Sequence, residues 1–330
     1  MKKYRYVLGL DGGGTKTQAA LFDTDGNLVD MLDWGPTNHE SLAGGFDELR
    51  DEMKALLCSI LARNSITVND IVSSAFGMAG VDTRKQHQII SGIIEDLGIK
   101  NFVLSNDAYL GIKAGCPSGI GICVINGTGC TVAGIDVEGR MIQIGGQGSL
   151  TRDVGGGGNI GMEAIRCVYD HLFRLAPYTI MKDMLFEKLQ ISSKYDFMEV
   201  MPEALGSGII SAGEIGKMVF EAANKGDETA ISILEFVGKS LGKSVNGAIH
   251  ELGFKEGDVI EVVLAGSVNV KGSNPSLVNA IKKEVTDKNP DKKFEFIILQ
   301  QPPVAGAVIW ALQRTEHKID NLFEKITSQF

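Results

Sequence analysis

The feature that most constrains the fold lies ten residues into the chain, at Leu8-Gly9-Leu10-Asp11-Gly12-Gly13-Gly14-Thr15-Lys16-Thr17. An apolar run from Tyr4 to Leu10 ends in one aspartate, three glycines and Thr-Lys-Thr. A second run, Ala19 to Phe22, closes at Asp23-Thr24-Asp25-Gly26-Asn27. Two short apolar runs joined by a glycine turn predict a β-hairpin. Such a turn can be a tight hairpin and nothing more. It can also be an anion site, because glycine brings backbone N–H groups close to a ligand and Thr15 and Thr17 add hydroxyl donors. Asp11 can cap the hairpin or hold a hydrated cation. Two other glycine motifs do not fit. The P-loop needs Gly-Lys-Ser/Thr opening a helix, but here Thr15 separates Gly14 from Lys16 and a strand follows. The dinucleotide fingerprint also requires a helix and a GxGxxG spacing, which Thr17 breaks.

The same device recurs as Ile125-Asn126-Gly127-Thr128-Gly129-Cys130-Thr131, after the run Gly121 to Ile125 and before Val132 to Ile135. Each copy leads to an acidic-Gly turn, Asp25-Gly26 or Glu138-Gly139. Self-similarity on this scale implies two related halves, each with a phosphate hairpin. Two facing hairpins can hold one nucleotide's phosphates from opposite sides.

With 330 residues, two domains are expected. The expected division is 1–116 and 117–314, with 315–330 packing back on the first domain and Ala114 to Gly119 as the hinge. The 41 glycines exceed the usual share of about 7%. The net charge of −9, with no Lys/Arg cluster, argues against nucleic acid as a partner. The basic start Met-Lys-Lys-Tyr-Arg-Tyr leads into an apolar run that breaks at Asp11, too short for a signal peptide, and no run approaches a membrane span. Five cysteines (58, 116, 123, 130, 167) form neither a CxxC pair nor a zinc spacing, which suggests free thiols in a reducing cytoplasm.

Glu40 to Arg63 reads as an amphipathic helix, with Phe46, Leu49, Met53, Leu56 and Ile60 at steps of three and four. Val68 to Met78 reads as a strand, Arg84 to Leu97 as a helix, Asn101 to Leu104 as a strand, and a helix begins at Asp107. The second half repeats the opening with strands near 120–126, 131–136 and 140–144. A long helical region follows, Gly158 to Lys243, with breaks at Pro177 and Pro202. Strands at Val259 to Leu264 and Phe294 to Ile298 alternate with helices at Pro275 to Asp287 and from Pro303 to about Arg314. Hairpin-linked strands followed by helix–strand alternation predict α/β domains with mixed sheets covered by helices.

Asp107 follows the strand ending at Asn106, where ligands of α/β folds bind; the same position suits a helix N-cap. Asn38 has the donors and acceptors to read a hydroxyl and an acetamido group, or it is a turn asparagine. Ala265-Gly266-Ser267 allows backbone close to a flat base, or it is a plain strand-to-helix turn.

Asp11 to Thr17, Asn106-Asp107, Asn126 to Thr131, Gly145 to Gly155 and Ala265-Gly266-Ser267, in that order, resemble the sugar kinase/heat-shock ATPase/actin superfamily. Within it the chain resembles the N-acetylglucosamine kinase and BadF/BadG/BcrA/BcrD group. The resemblance implies two ribonuclease H-like domains with nucleotide and sugar in the cleft between them. It implies ATP, held by Gly12, Gly13, Gly14, Thr15, Lys16, Gly127, Thr128 and Gly129 at the phosphates, and by Ala212, Gly266, Ser267 and Lys271 at the adenosine. It implies Mg²⁺ near Asp11, and an amino sugar bound by Asn38, Asp107, Gln147, Gly148, Ser149 and Asp153, with Asp107 as general base. Gly77 and Gly80 would line the cleft. The family's Gly-Gly-Trp-Gly…Gly-Asp-Glu-Gly is kept at Gly146, Gly148, Asp153 and Gly155. It departs at Gln147 for tryptophan, Arg152 for glycine and Val154 for glutamate, which alters the sugar pocket.

The expected activity is therefore ATP-dependent phosphorylation of an amino sugar, at O6 of N-acetylglucosamine, with N-acetylmuramic acid and glucosamine as competitors, by a cytoplasmic homodimer. Other members of the group are iron–sulfur ATPase activators of dehydratases, and kinase folds recur as sugar sensors. Cys123 and Cys130 lie in or beside the phosphate hairpin, where a cluster bridging two subunits does not fit.

Overall fold

The computed structural model describes residues 5–330. Three antiparallel strands open the chain: β1 (Tyr6–Gly12), β2 (Thr17–Asp23) and β3 (Leu28–Trp34). Tyr4, the expected first residue of β1, lies outside the described residues. Then come α1 (Gly45–Arg63), β4 (Ile71–Met78), α2 (Arg84–Asp96), β5 (Phe102–Ser105) and α3 (Ala108–Gly115). The second half repeats the opening with β6 (Gly121–Asn126), β7 (Cys130–Ile135) and β8 (Met141–Gly145). Helices α4 (Gly157–Phe173), α5 (Ile180–Leu189), α6 (Phe197–Gly206), α7 (Ala212–Asn224) and α8 (Glu228–Leu252) follow. The chain then runs through β9 (Val259–Ala265), α9 (Ser267–Lys271), α10 (Ser276–Lys288), β10 (Lys293–Ile298), α11 (Val304–Gln313) and α12 (Leu322–Thr327).

The duplication is explicit in the topology. One sheet has the order β3-β2-β1-β4-β5 and the other β8-β7-β6-β9-β10, the same path through the corresponding strands. In the first sheet β4 and β5 run parallel to β1, so the sheet is mixed, as expected.

Two compact units divide the chain. One comprises residues up to Cys123, Ala133–Gln143 and Ile297–Phe330; the other comprises Val124–Val132 and Ile144–Phe296. In the first unit, period-two alternation on β1 and β2 feeds two cores. Leu8, Leu10, Ala19 and Leu21 pack with α1 and α2 residues such as Leu56 and Ile93. Val7, Ala20 and Phe22 face the opposite way, onto α11 and α12 through Ala307, Val308 and Ile326. Helix α11 crosses β1 so closely that a Cβ on Gly9 would lie 2.8 Å from the Val308 nitrogen.

Three local expectations need correction. The helix expected from Glu40 begins at Gly45, because the Gly44-Gly45 pair turns the chain, with Gly45 at φ 59°, outside the helical region. The strand expected from Val68 begins at Ile71, after a 3₁₀ turn at Val68–Asp70 closed by a Thr67–Asp70 capping box. Pro202 does not break the helical region but lies inside α6. The carbonyl that loses its partner there belongs to Met198, whose side chain is exposed, so water can replace the bond. The break comes later, at Gly208 with φ 75°.

Candidate functional site

In the first unit the glycine hairpin is tied down from three directions. Gly13 N–H donates to the Lys16 carbonyl (3.0 Å), Thr37 N–H to the Gly13 carbonyl (3.1 Å) and Ala79 N–H to the Gly12 carbonyl (2.8 Å). Beneath it, the buried hydroxyls of Thr17 and Thr37 share a 2.8 Å hydrogen bond. A Cβ on Gly12 would stand 2.6 Å from the Thr37 hydroxyl, so only glycine fits. Thr15 and Lys16 at the tip are exposed, and Gly13 and Gly14 are half-buried. A loop this fixed offers polar groups to a ligand at little ordering cost.

Asp11, near the end of β1, is half-buried, and its carboxylate accepts no hydrogen bond among the described residues. Burial pushes its carboxyl up to about 6, against the pull of the Lys16 ammonium. Asp107 stands at the junction of β5 and α3, also half-buried. Its carboxyl is pushed up to about 7, first by burial and then by the charges of Asp11 and Asp82. The N–H groups of Asp107 and Ala108 pull it partly back, although its side chain closes no capping bond. Asn106 does that work instead, its Oδ1 accepting from Ala108 N–H at 2.9 Å. Asp107 sits at the N-cap position, but its side chain does not cap the helix.

Asp82 organises the floor beside it. Its Oδ1 accepts from Asn106 Nδ2 (2.9 Å) and from Gln143 Nε2. Burial pushes the Asp82 carboxyl up, while the two amides oppose that and Glu40 adds to it. Asn38 forms an Asx turn, its Oδ1 accepting from Glu40 N–H at 2.9 Å. That oxygen presses on Gly80, where a Cβ would come within 2.4 Å and φ is 82°. The turn-asparagine reading therefore holds for Oδ1, while Nδ2 stays available as a donor. His39 stacks on Phe46 (centroids 4.0 Å, 12°) rather than starting a helix.

In the second unit, the hairpin at Gly127–Gly129 packs on two other turns. A Cβ on Gly127 would lie 3.7 Å from the Ser267 nitrogen, so this hairpin and the Ala265–Ser267 turn are neighbours. Gly156, at φ 89°, sits against the Thr128 carbonyl, and Gly157 N–H donates to the Gly127 carbonyl (2.9 Å). Buried Asn126 fastens these segments together: its Oδ1 accepts from Gly156 N–H (2.7 Å) and its Nδ2 donates to Asn269 Oδ1 (3.3 Å). Asn269, also buried, donates to the carbonyls of Val124 (3.0 Å) and Ala265 (3.1 Å). Thr128, Gly129, Ser267 and Lys271 are exposed around this knot. Ala212 begins α7, behind a Ser211–Glu214 capping box, and its carbonyl lies where a Cβ on Gly161 would be.

Asp153 caps its own loop. Oδ2 accepts from Gly146 N–H (2.9 Å) and the Thr151 hydroxyl (2.7 Å), and Oδ1 lies against the α-carbon of Gly145. Gln147, Gly148 and Ser149 are exposed on that loop. Arg152 adopts φ 56°, the left-handed conformation that favours glycine, the residue the resemblance leads one to expect there.

In the first hairpin Gly12, Gly13 and Gly14 stand where a Cβ would clash, whereas Gly127 and Gly129 of the second have room for one; the threonine at each tip, Thr15 and Thr128, is exposed. Among the described residues no group of three His, Cys, Asp or Glu side chains could hold a metal by itself. A cation at Asp11 would take its remaining ligands from phosphate and water. Sequence reading missed Thr37, Asp82, Gln143, and the structural parts played by Asn126 and Asn269. Asn126 and Asn269 are 143 positions apart, a separation that no periodicity signals.

Comparison with known proteins matches this architecture. An N-acetyl-D-glucosamine kinase of Dictyostelium discoideum is 28% identical over 316 residues, covering 92% of this chain and 97% of that protein. An N-acetylmuramic acid/N-acetylglucosamine kinase of Clostridium acetobutylicum is 26% identical over 310 residues, covering 93% and 98%. Among solved structures, a candidate N-acetylglucosamine kinase from Chromobacterium violaceum has a TM-score of 0.68 at 19% identity, covering 94% of this chain and all of that one. A glucokinase of the ROK family from Streptomyces griseus has a TM-score of 0.53 at 18% identity, covering 92% and 97%. These two share the fold. The model of the BadF/BadG/BcrA/BcrD ATPase family matches residues 8–311, and the chain belongs to that family, which implies the use of ATP.

Proposed function

We propose that the chain is an ATP-dependent amino sugar kinase that phosphorylates N-acetylglucosamine at its 6-hydroxyl, with Asp107 as general base. The observation that carries this reading is the Asp107 carboxylate: half-buried, released from helix capping by Asn106, and pushed up to about 7. A carboxylate of that basicity can take the hydroxyl proton as the sugar oxygen bonds to the γ-phosphorus and the bond from phosphorus to the ADP oxygen breaks. Magnesium near Asp11 supplies charge neutralisation at the phosphates. Gly12–Lys16 and Gly127–Gly129 cradle the phosphates, and Ala212, Gly266, Ser267 and Lys271 receive the adenosine. Asn38, through Nδ2, and Gln147, Gly148, Ser149 and Asp153 read the sugar. The two relatives that match over nearly their whole length, both kinases of N-acetylated amino sugars, support the substrate class.

The iron–sulfur activator reading needs thiolates. Cys123 is buried and its thiol is pushed well above the ordinary range; burial also pushes Cys130 up to about 11. Both are poor ligands for a shared cluster. No helix among the described residues is long and apolar enough to cross a membrane. A cytoplasmic homodimer, as the resemblance implies, completes the proposal.

The test is ADP release by purified protein with Mg-ATP and a panel of N-acetylglucosamine, N-acetylmuramic acid, glucosamine, N-acetylmannosamine and glucose. Release that depends on an N-acetylated amino sugar is expected. Sugar-independent hydrolysis, or none, would refute the reading.

A further inference from the structure

Asp107 stands where a helix begins, and a carboxylate there has a competing use. Aspartate is among the side chains that best accept the unpaired N–H groups of a helix start. The start of α3 is arranged so that these groups find other partners. Ala108 N–H donates to Asn106 Oδ1 (2.9 Å), Tyr109 N–H to the Asn106 carbonyl (3.2 Å) and Leu110 N–H to the Asp107 carbonyl (3.0 Å). The contested donor is Ala108 N–H, which also pulls on the Asp107 carboxyl. Which side chain takes it depends on how the Asn106 amide is turned.

That amide has an accepting end and a donating end of similar size. Asn106 is buried (4% exposed), so both ends need partners. Asp82 supplies the partner that tells them apart. Its Oδ1 accepts from Asn106 Nδ2 at 2.9 Å, and a carboxylate has no proton to give, so only the Nδ2 end can face it. Asn106 Oδ1 is thereby turned to Ala108. Asp82 is itself held in place. Gln143 Nε2 donates to the same carboxylate oxygen from β8, and Asp82 N–H donates to Gln86 Oε1 (3.1 Å), the oxygen that also closes the Thr83 capping box of α2. None of these residues is among the sugar and nucleotide contacts assigned above.

We propose that Asp82 is the positioning residue for the base: by clamping the Asn106 amide it keeps Ala108 N–H engaged and holds the Asp107 side chain outside the helix cap. This rests on the reading of Asp107 as general base, and Asp82 acts on it only through Asn106. Without the Asp82 acceptor the amide can turn and Ala108 N–H passes to the Asp107 carboxylate. A carboxylate so bonded is a weaker base.

The experiment measures kcat and both KM values with Mg-ATP and N-acetylglucosamine, and thermal melts, for the wild type, Asp82→Ala, Asp82→Asn, Asn106→Ala and the double variant Asp82→Ala/Asn106→Ala. Asp82→Ala should lower kcat about five- to tenfold, the preference with which an acidic side chain occupies a cap, and leave both KM values within about twofold. Asp82→Asn keeps an oxygen for both amides and should recover most of that loss. The double variant should be no slower than Asn106→Ala alone, since the two residues act in series. Losses that multiply in the double variant overturn the proposal, as does an Asp82→Asn as slow as Asp82→Ala. A lowered melting temperature with kcat per folded molecule unchanged also overturns it, in favour of a purely structural tie. If Asp82→Ala is not recovered folded, Asp82→Leu, close in shape and without an acceptor, is read in its place; failure of both to fold overturns the proposal in the same way. These outcomes leave the kinase reading intact, whereas a wild type that phosphorylates no amino sugar refutes that reading and this proposal with it.

Discussion

The two glycine hairpins descend from one pattern, but their strand-end residues have diverged in use. In the first, the Asp11 carboxylate accepts no hydrogen bond among the described residues and is pushed up to about 6. In the second, Asn126 spends both ends of its amide, on Gly156 N–H and on Asn269. One aspartate is left costly and available, and its counterpart is a fully satisfied fastener. A buried charge with no partner is expensive, and such groups mark functional positions more often than structural ones. On the proposed function, the first hairpin is the one with a carboxylate to spare for a cation, and the second is held rigid by its asparagine.

Exchanging the residues tests this division. Asp11→Asn gives the first hairpin the amide of the second, and should lower Mg-ATP-dependent turnover by about 10²-fold, the several kcal/mol that a metal contributes. Unchanged turnover and magnesium dependence would end the distinction. Asn126→Asp, the converse, places a carboxylate against Asn269 Oδ1 and removes the donor between them; it should cost about 3 kcal/mol in denaturant unfolding. Full tolerance would show that the second hairpin is not held this way. Asn269→Ala should cost about 2 kcal/mol and raise KM for ATP severalfold, with the sugar KM unaffected. Equal shifts in both KM values would reduce Asn269 to general packing.

The difference also appears in pH dependence. Asp11 and Asp107 have folded values raised above 3.8, to about 6 and about 7, so the folded state binds more protons than the unfolded one across that interval. Stability of the ligand-free protein should thus fall as pH rises from about 4 to 7, by about 1–2 kcal/mol once solvent screening of these half-exposed groups is allowed for. Asp11→Asn should flatten the curve, and thermal melts across that range would show it. The smallest effect expected is at Arg152. Replacement by glycine relieves its φ of 56° but adds chain entropy to the unfolded state, leaving a gain of about 0.5 kcal/mol.

Much of the framework was legible because it is local. The turn glycines, the apolar runs and the recurrence at Ile125–Thr131 predict both three-stranded openings, and their equivalence reappears as one strand order in both sheets. Local signals also misled, at Glu40, where a glycine pair delays the helix, and at Pro202, where a helix tolerates proline. The rest was hidden by distance. Thr37 supports the first hairpin from 20 residues beyond Thr17, and Gln143 reaches Asp82 across 61. The capping role expected of Asp107 passed to its neighbour Asn106, an exchange decided by side-chain direction rather than residue type.

The most direct test of the central claim is steady-state turnover of Asp107→Asn with Mg-ATP and N-acetylglucosamine, alongside calorimetric binding of each. The account predicts that kcat falls by about 10²–10⁴-fold, the usual share of a general base, while both ligands bind within a fewfold of wild type. Turnover near the wild-type rate with binding intact would contradict it.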